Sequence, residues 1–375
     1  MSVPVRILHV VESYGAGVAS AVDQYVDSTP QFEHHLLRRV RPGQYLSGSS
    51  ESAFASVQEL PSGHWASFGA VRRRVAALDV AVIHAHSSIA GAYTRLALRS
   101  SRRRRIVYTP HCFAFERRDQ GLAVRGAFYL AEWMLSLNTN SIAACSEREA
   151  KIGKRMASGK SVYVPNTSGF LPSEKVRPGR ESSVLRLVTM GRISPQKDPV
   201  FFIEMLRHLR CTIPDIQVVW IGAGTREDET LLRNNGIEVT GWMARDATAQ
   251  QLKDSDIYVH CAAWEGFPLA LLDAHQLGLP IVARKIPALA FSPQAPLAVS
   301  PEQVAALVFE LQRGGSDALQ LNWSQWQDTF SANTAAVQSS RLREAYSLSG
   351  DDFSCPAGLD SDPVRIFPMN HQIKV

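Results

Sequence analysis

The sequence predicts an α/β protein built from two doubly wound, Rossmann-like domains that face one another across a cleft. Three observations carry that expectation. Short β-branched runs alternate with stretches of helical spacing, the rhythm of parallel strands covered on both faces. The rhythm breaks over about residues 168–183 and then starts again. Glycine-rich turns follow strands in both halves, where backbone N–H groups at a helix start can approach an anion. A chain of 375 residues, 45% hydrophobic and 20% charged, suits about two domains with cores of their own and excludes a mainly disordered protein. No run reaches the ~18 apolar residues of a spanning helix, and the stretch Ile7–Val11 is too short for a signal-peptide core, so a soluble cytoplasmic protein is expected. The five cysteines are an odd number without a C-x-x-C pair, which reads as buried free thiols.

In chain order, Arg6–Val11 reads as a buried strand, Gly15-Ala16-Gly17 as a turn, and Val18–Asp27 as a helix. Further strands are expected at Val80–His84, Ile106–Thr109 and Ser141–Cys145, with a helix over Ile89–Arg99 and a capping box at Ser146–Glu149. After the linker, strands are expected at Leu185–Met190, Ile216–Ile221, Glu238–Thr240, Ile257–His260 and Pro280–Ala283. Trp323–Tyr346 reads as one or two helices, and Ser349–Val375 as a loosely ordered tail. The expected division is therefore 1–170, 184–322, C-terminal helices over 323–348, and the tail 349–375.

Charge separates the halves. Residues 1–180 hold 24 Lys and Arg against 13 Asp and Glu, a net +11; the remainder holds 16 against 22, a net −6. The basic runs Arg72–Arg74 and Arg102–Arg105, with Lys151, Lys154, Arg155 and Lys160, suit an anionic membrane surface or a phosphorylated substrate, or a solvated face with no partner. Aromatic residues do not interleave with them, so nucleic acid is not an expected partner.

Several segments carry candidate chemistry. Gly15-Ala-Gly17-Val-Ala-Ser20 is a near miss to a dinucleotide fingerprint, and Arg38 and Arg39 after it would at best suit a 2′-phosphate. Gly222-Ala-Gly224 reads as a tight turn. Gly191-Arg192-Ile-Ser-Pro-Gln-Lys197 follows a strand and sets two cations five positions apart, so that both can converge on one diphosphate. In Glu265-Gly266-Phe267-Pro268-Leu269, proline suits the first helical position. The N–H groups of Gly266, Phe267 and Leu269 would then point into the cleft, with Glu265 placed for sugar hydroxyls and Asp273 for a ribose. His84 and His86, two apart on a strand, are read as facing opposite sides and so as packing residues; Asp254-Ser-Asp256 is read as a helix-to-strand turn. No metal site is assigned. Val124–Leu137 is apolar beside Arg117, Arg118 and Arg125, either a core helix or a surface that meets a lipid.

Gly191-Arg192 with Lys197, then Glu265-Gly-Phe-Pro-Leu-Ala-Leu-Leu-Asp273-Ala with Gly278-Leu-Pro280, resemble the retaining GT-B glycosyltransferases of family 4. In the first half His84-Ala-His86-Ser-Ser-Ile-Ala-Gly91, Thr109-Pro-His111, Ala144-Cys-Ser146-Glu and Val164-Pro-Asn166 agree, most nearly with bacterial enzymes of surface-polysaccharide assembly. The likeness runs from about residue 5 to 290.

The resemblance implies a GT-B architecture and a nucleotide-diphosphate sugar as donor, with UDP the favoured carrier and no cofactor. It implies a saccharide or polyprenyl-diphosphate-linked acceptor, with or without contact at the inner face of the plasma membrane. Arg192 and Lys197 would hold the diphosphate, with Gly15, Gly17 and Gly191 giving close backbone approach. Glu265 would contact the donor sugar, Asp273 the ribose, and His111 would line the acceptor side near the reacting carbon. Two departures stand out: Asp273 where the family has Glu, and Gly-Ala-Gly where many relatives have adjacent glycines. The competing expectations are a nucleotide-sugar epimerase, an NADP-dependent oxidoreductase, and a non-catalytic sugar- or lipid-binding relative.

Overall fold

The protein is described by a computed structural model over residues 4–41, 51–101, 103–171, 173, 176, 184–290 and 295–347. Most of the expected linker, Arg102, and the expected tail lie outside these residues.

The first domain runs β1 (Arg6–Val11), α1 (Ala16–Ser28), β2 (Glu33–Arg38), β3 (Ser56–Glu59), α2 (His64–Leu78), β4 (Val82–His86), α3 (Ser87–Ala97), β5 (Arg105–Thr109), α4 (Leu122–Ser136), β6 (Ser141–Ala144), α5 (Glu147–Gly153) and β7 (Ser161–Tyr163). Its seven strands pair in parallel in the order β3-β2-β1-β4-β5-β6-β7. The second domain runs β8 (Leu185–Met190), α6 (Pro199–Arg210), β9 (Ile216–Ile221), α7 (Arg226–Asn234), β10 (Glu238–Val239), α8 (Arg245–Lys253), β11 (Ile257–His260), α9 (Leu269–Gln276), β12 (Ile281–Arg284), β13 (Leu297–Ala298) and α10 (Pro301–Arg313). Its parallel order is β10-β9-β8-β11-β12-β13. Both sheets are doubly wound, with the order reversing beside β1 and β8, so ligands are expected beyond the carboxyl ends of these strands.

β4 lies two residues later than its apolar run suggests. The helix before it ends with Asp79 in a left-handed conformation, φ 47°, and Val80 and Ala81 complete the connection. β2, β3 and β7 were not expected: β2 reads Glu-His-His-Leu-Leu-Arg, which hides a strand behind polar letters, and its two histidines are buried.

Two helices close the chain, α11 (Gly315–Thr329) and α12 (Ala335–Tyr346), and they divide between the domains rather than forming one unit over 323–348. α11 starts earlier: α10 ends at Arg313 with Gly314 as its cap, and Gly315, φ +61°, turns the chain directly into α11, which stays with the second domain, where Trp326 Nε1 donates to Ile281 O at 2.9 Å. α12 returns to the first domain. Gln338 Nε2 donates to Pro165 O at 2.8 Å, and Leu342, Ala345 and Tyr346 join Ile7, Tyr25 and Val82 in its core. No helix among the described residues is long and apolar enough to cross a membrane.

Candidate active site

The carboxyl ends of both sheets meet at one cleft. A Cβ on Gly17, at the start of α1, would lie 3.6 Å from Leu269 Cδ1 at the start of α9. A Cβ on Gly266 would lie 2.5 Å from Cys112 N, 2.7 Å from the His111 carbonyl carbon and 2.9 Å from Glu149 Oε1, all in the first domain. Only glycine allows the Glu265–Gly266 backbone to sit against the loop that follows β5.

The central contact of the second domain joins two motifs that are 68 residues apart. Lys197 Nζ lies 2.6 Å from Glu265 Oε1, with side chains 19% and 11% exposed. Gln196 Nε2 donates to Glu265 Oε2 at 3.0 Å and to Trp264 O at 3.1 Å, so both carboxylate oxygens are held. Glycine 191, φ 137°, makes room for this: a Cβ there would meet Lys197 Cε at 2.5 Å. Gly222 in turn lies against Gly191, where a Cβ would come 2.3 Å from its carbonyl oxygen, and Trp220 Nε1 donates to that oxygen at 2.8 Å. The second glycine turn thus buttresses the first.

Other expected residues are placed differently. Arg192 is exposed: its carbonyl accepts from Ser194 Oγ at 3.3 Å, but its guanidinium makes no hydrogen bond or ion pair with a described residue and does not join Lys197. Glu265 lies in the loop after β11, not at the strand end, and Pro268 is the N-cap of α9 rather than its first residue. Phe267 and Leu269 serve packing, Phe267 edge-on to Phe330 at 6.2 Å between ring centroids. Asp273 accepts a 2.6 Å hydrogen bond from Ser168 Oγ, and burial pushes its carboxyl up to about 6. Gly15 caps α1 in extended backbone, while Ala16 takes φ 48°.

Arg38 and Arg39 are committed elsewhere. Arg38 pairs with Glu51 and Glu59, each at 2.6 Å, and Arg39 pairs with Glu12 at 2.9 Å, which removes the basis for a 2′-phosphate site. Asp254 and Asp256 lie at the amino end of β11, away from the cleft, with Arg186 N donating to Asp256 Oδ2 at 2.8 Å.

The first domain brings together residues that sequence reasoning left apart. Arg118, Arg125, Arg148 and Arg155 line a cavity of about 260 Å³ with Phe115, Glu116 and Tyr129, and Trp264, Glu265 and Pro287 close it from the second domain. Arg148 pairs with Glu116 at 2.7 Å; the other three form no ion pair with a described residue. Arg118 and Arg125 flank the start of α4, and Arg148 and Arg155 lie on and just after α5, so no single motif announces the group of four. Beside it α4 is inside out: its buried residues are Glu132 and Ser136, while Leu130 and Met134 are 55% and 52% exposed and its cap Leu137 67% exposed. Glu132 is held inward by buried Arg95 and by Tyr108, each at 2.9 Å. α4 is therefore no core helix.

Glu149 was expected only as the second half of a capping box. Ser146 Oγ does accept from Glu149 N at 3.2 Å, but the carboxylate receives Cys145 N at 3.0 Å and Cys112 N at 2.6 Å. Burial pushes it up to about 7. It pins the His111–Cys112 turn, whose residues take φ 51° and 99°.

The expectation that His84 and His86 face opposite sides is overturned. Residues two apart on a strand share a face, and these two rings lie 4.1 Å apart between centroids. With His9 they bring ligand atoms within 4.8 Å of one another. All six ring nitrogens of the three already have partners: His34, His111, Thr109, Tyr346, and each other across His9 and His86.

Two doubly wound parallel sheets whose carboxyl ends meet at one cleft, with the Lys197–Glu265 clasp in the loops beyond one sheet and a basic cavity beside the other, have the GT-B architecture. Residues 29–167 match the family described as Glycosyltransferase Family 4, and residues 185–313 match Glycosyl transferases group 1. The two matches together span more than two thirds of the chain, which belongs to the GT-B glycosyltransferases of these families. It is 28% identical over 229 residues to an Escherichia coli UDP-Gal:alpha-D-GlcNAc-diphosphoundecaprenol alpha-1,3-galactosyltransferase, covering 55% of this chain and 58% of that enzyme. It is 20% identical over 297 residues to an uncharacterized 41.2 kDa protein in the cps region of Klebsiella pneumoniae, covering 76% of this chain and 82% of that one. Among solved structures, Anabaena HepE in complex with UDP-glucose superposes with a TM-score of 0.73 at 14% identity, covering 92% of this chain and 100% of HepE.

Proposed function

We propose that the chain is a retaining glycosyltransferase that moves a sugar from a UDP-sugar to a saccharide carried on a lipid diphosphate, in assembly of a bacterial surface polysaccharide. The observation that carries this reading is the position of the Lys197–Glu265 clasp at the edge of a second, arginine-lined cavity of the other domain. One anion site serves a donor; two across a cleft serve a donor and an acceptor that both bear diphosphates. This favours transfer over epimerisation, which needs no second substrate. The Escherichia coli relative acts on a diphosphoundecaprenol-linked sugar and Anabaena HepE is seen with UDP-glucose, and both support the same chemistry.

The clasp is neutral as it stands, so the leaving diphosphate needs further positive charge. Arg192, unpaired on the same loop, and the N–H groups ahead of α9 supply it, and on this reading no divalent cation is required. The acceptor oxygen forms a bond to the sugar's anomeric carbon as the bond to the diphosphate oxygen breaks, and the acceptor's hydroxyl proton passes to that departing oxygen. Attack and departure share one face, so configuration is retained. In the first domain the lipid-side diphosphate lies among Arg118, Arg125 and Arg155, and the exposed apolar face of α4 rests in the bilayer interface.

The test is to incubate the purified full chain with a panel of UDP-sugars and polyprenyl-diphosphate N-acetylhexosamine in detergent, with and without a chelator. Acceptor-dependent UDP release and an α-linked product from an α-linked donor are expected in both. Release without acceptor together with an epimerised sugar, or no release under any pairing, contradicts the reading.

A further inference from the structure

Four histidines stand in a hydrogen-bonded row below the cleft, and one end of the row fixes every proton in it. His34 Nε2 lies 3.0 Å from Thr29 O and 3.2 Å from Thr29 Oγ1. A carbonyl only accepts, and the single hydroxyl hydrogen of Thr29 is given to Tyr25 O at 2.5 Å. His34 Nε2 is therefore a donor. Burial holds the four rings neutral, pushing His34 and His111 down to about 4 and His9 and His86 well below the usual range. A neutral imidazole has one N–H, so His34 Nδ1 accepts, and it must receive the Nε2–H of His9, 3.0 Å away. The same step repeats twice: His9 Nδ1 receives His86 Nε2–H at 3.0 Å, and His86 Nδ1 receives His111 Nε2–H at 3.1 Å. His111 Nδ1 is left with no described partner, and it is not among the sealed-in, unpartnered atoms, so it is open at the cleft wall where Gly266 packs.

The geometry points to His34, His9 and His86 as positioning residues that hold His111 in its Nε2–H tautomer, so that it offers the cleft a hydrogen-bond acceptor for a sugar hydroxyl. The row is not an exit for protons. A proton taken up at His111 Nδ1 and passed along would end as a charge on His34, against a carbonyl that cannot take it and in a buried site. Its effect is orientation and polarisation, since an imidazole whose N–H is engaged accepts more strongly at the other nitrogen. A lone-pair nitrogen repels an ionised phosphate oxygen, so the row directs His111 to a hydroxyl and away from the diphosphate. The substrate half of this inference rests on the transfer reading above; the tautomer half does not.

Nitrogen-15 spectra of the full chain labelled at histidine read the tautomers directly. At pH 7 His34, His9, His86 and His111 are each expected to show a protonated Nε2 and a lone-pair Nδ1. A His9→Phe substitution cuts the row, and in the folded variant His111 becomes a mixture of tautomers. Discrimination against a sugar lacking the recognised hydroxyl then falls by about tenfold. A protonated Nδ1 on wild-type His111 overturns the proposal, as does an unchanged His111 pattern in folded His9→Phe. If that variant does not fold, the wild-type spectrum alone decides. The expected spectrum in a protein that transfers no sugar would sink the transfer reading and the hydroxyl role while upholding the tautomer assignment.

Discussion

Replacing Lys197 with alanine separates binding of a diphosphate from binding of a nucleoside. Lys197 sits 2.6 Å from Glu265 Oε1 and is 19% exposed, so its ammonium works at the edge of water rather than in bulk. A charge-assisted hydrogen bond of this kind contributes about 1.5–3 kcal/mol, which is roughly ten- to a hundredfold in an equilibrium or rate constant. UDP affinity and donor kcat/KM should therefore fall by about that factor, while uridine, which lacks phosphate, should bind as before. The variant also leaves the Glu265 carboxylate with Gln196 as its remaining described partner, at 3.0 Å, so some stability is lost. Circular dichroism and a melting curve show whether the fold survives. Isothermal titration with UDP and with uridine, on wild type and variant, is the assay. A folded Lys197→Ala protein that binds UDP within twofold of wild type would refute the reasoning, because the clasp would then face something other than a diphosphate.

Two further expectations follow from the same geometry. Gly266→Ala would set a methyl 2.5 Å from Cys112 N and force the domains apart, so transfer should fall by about a hundredfold with little change in melting temperature; near-normal turnover would show that closure is not needed. Arg155→Glu should raise the acceptor KM by about fivefold and leave the donor KM alone, and the reverse pattern would move the acceptor's phosphates elsewhere.

Acid should destabilise the protein. Burial lowers the histidines His9, His34, His84, His86, His111, His260 and His275 in the native state, so the unfolded chain binds their protons first, and their stabilisation is lost as pH falls from about 6.5 toward 4. Glu149, Asp273 and Asp23, raised to about 7, 6 and 6, act oppositely, with stabilisation full near pH 4 and lost as pH rises through 6 to 7. The histidines outnumber them, so urea midpoints should drop between pH 6.5 and 5, and a midpoint that rises over that range would contradict the account.

The fold was legible where local pattern and tertiary environment agree. β1, β8, β9 and β11 coincide with apolar runs because buried parallel strands need apolar residues on both faces. β2 was not legible, because His34 and His35 are polar letters whose hydrogen bonds within the fold make burial tolerable. The clasp was half legible: Lys197 and Glu265 stood out in their motifs, but Gln196, which secures both loops, carries no signal of its own. The arginine cavity and the histidine row were not legible, since the first is assembled from α4, α5 and the loops beside them and the second from β1, β2, β4 and the loop after β5. His84 and His86 show a reading that failed on geometry alone, as strand periodicity puts them on one face. α4 shows the converse: its apolar run is real, and only the inward ion pair of Glu132 with Arg95 reveals which side faces out.

The most direct trial of a nucleotide-diphosphate cleft is a structure of the chain with UDP bound. The account places the β-phosphate within hydrogen-bond distance of Lys197 Nζ, near the N–H groups that precede α9, with Arg192 drawn in from solvent. A nucleotide seated away from the 191–197 loop, with Lys197 and Glu265 still bonded only to one another, would contradict it.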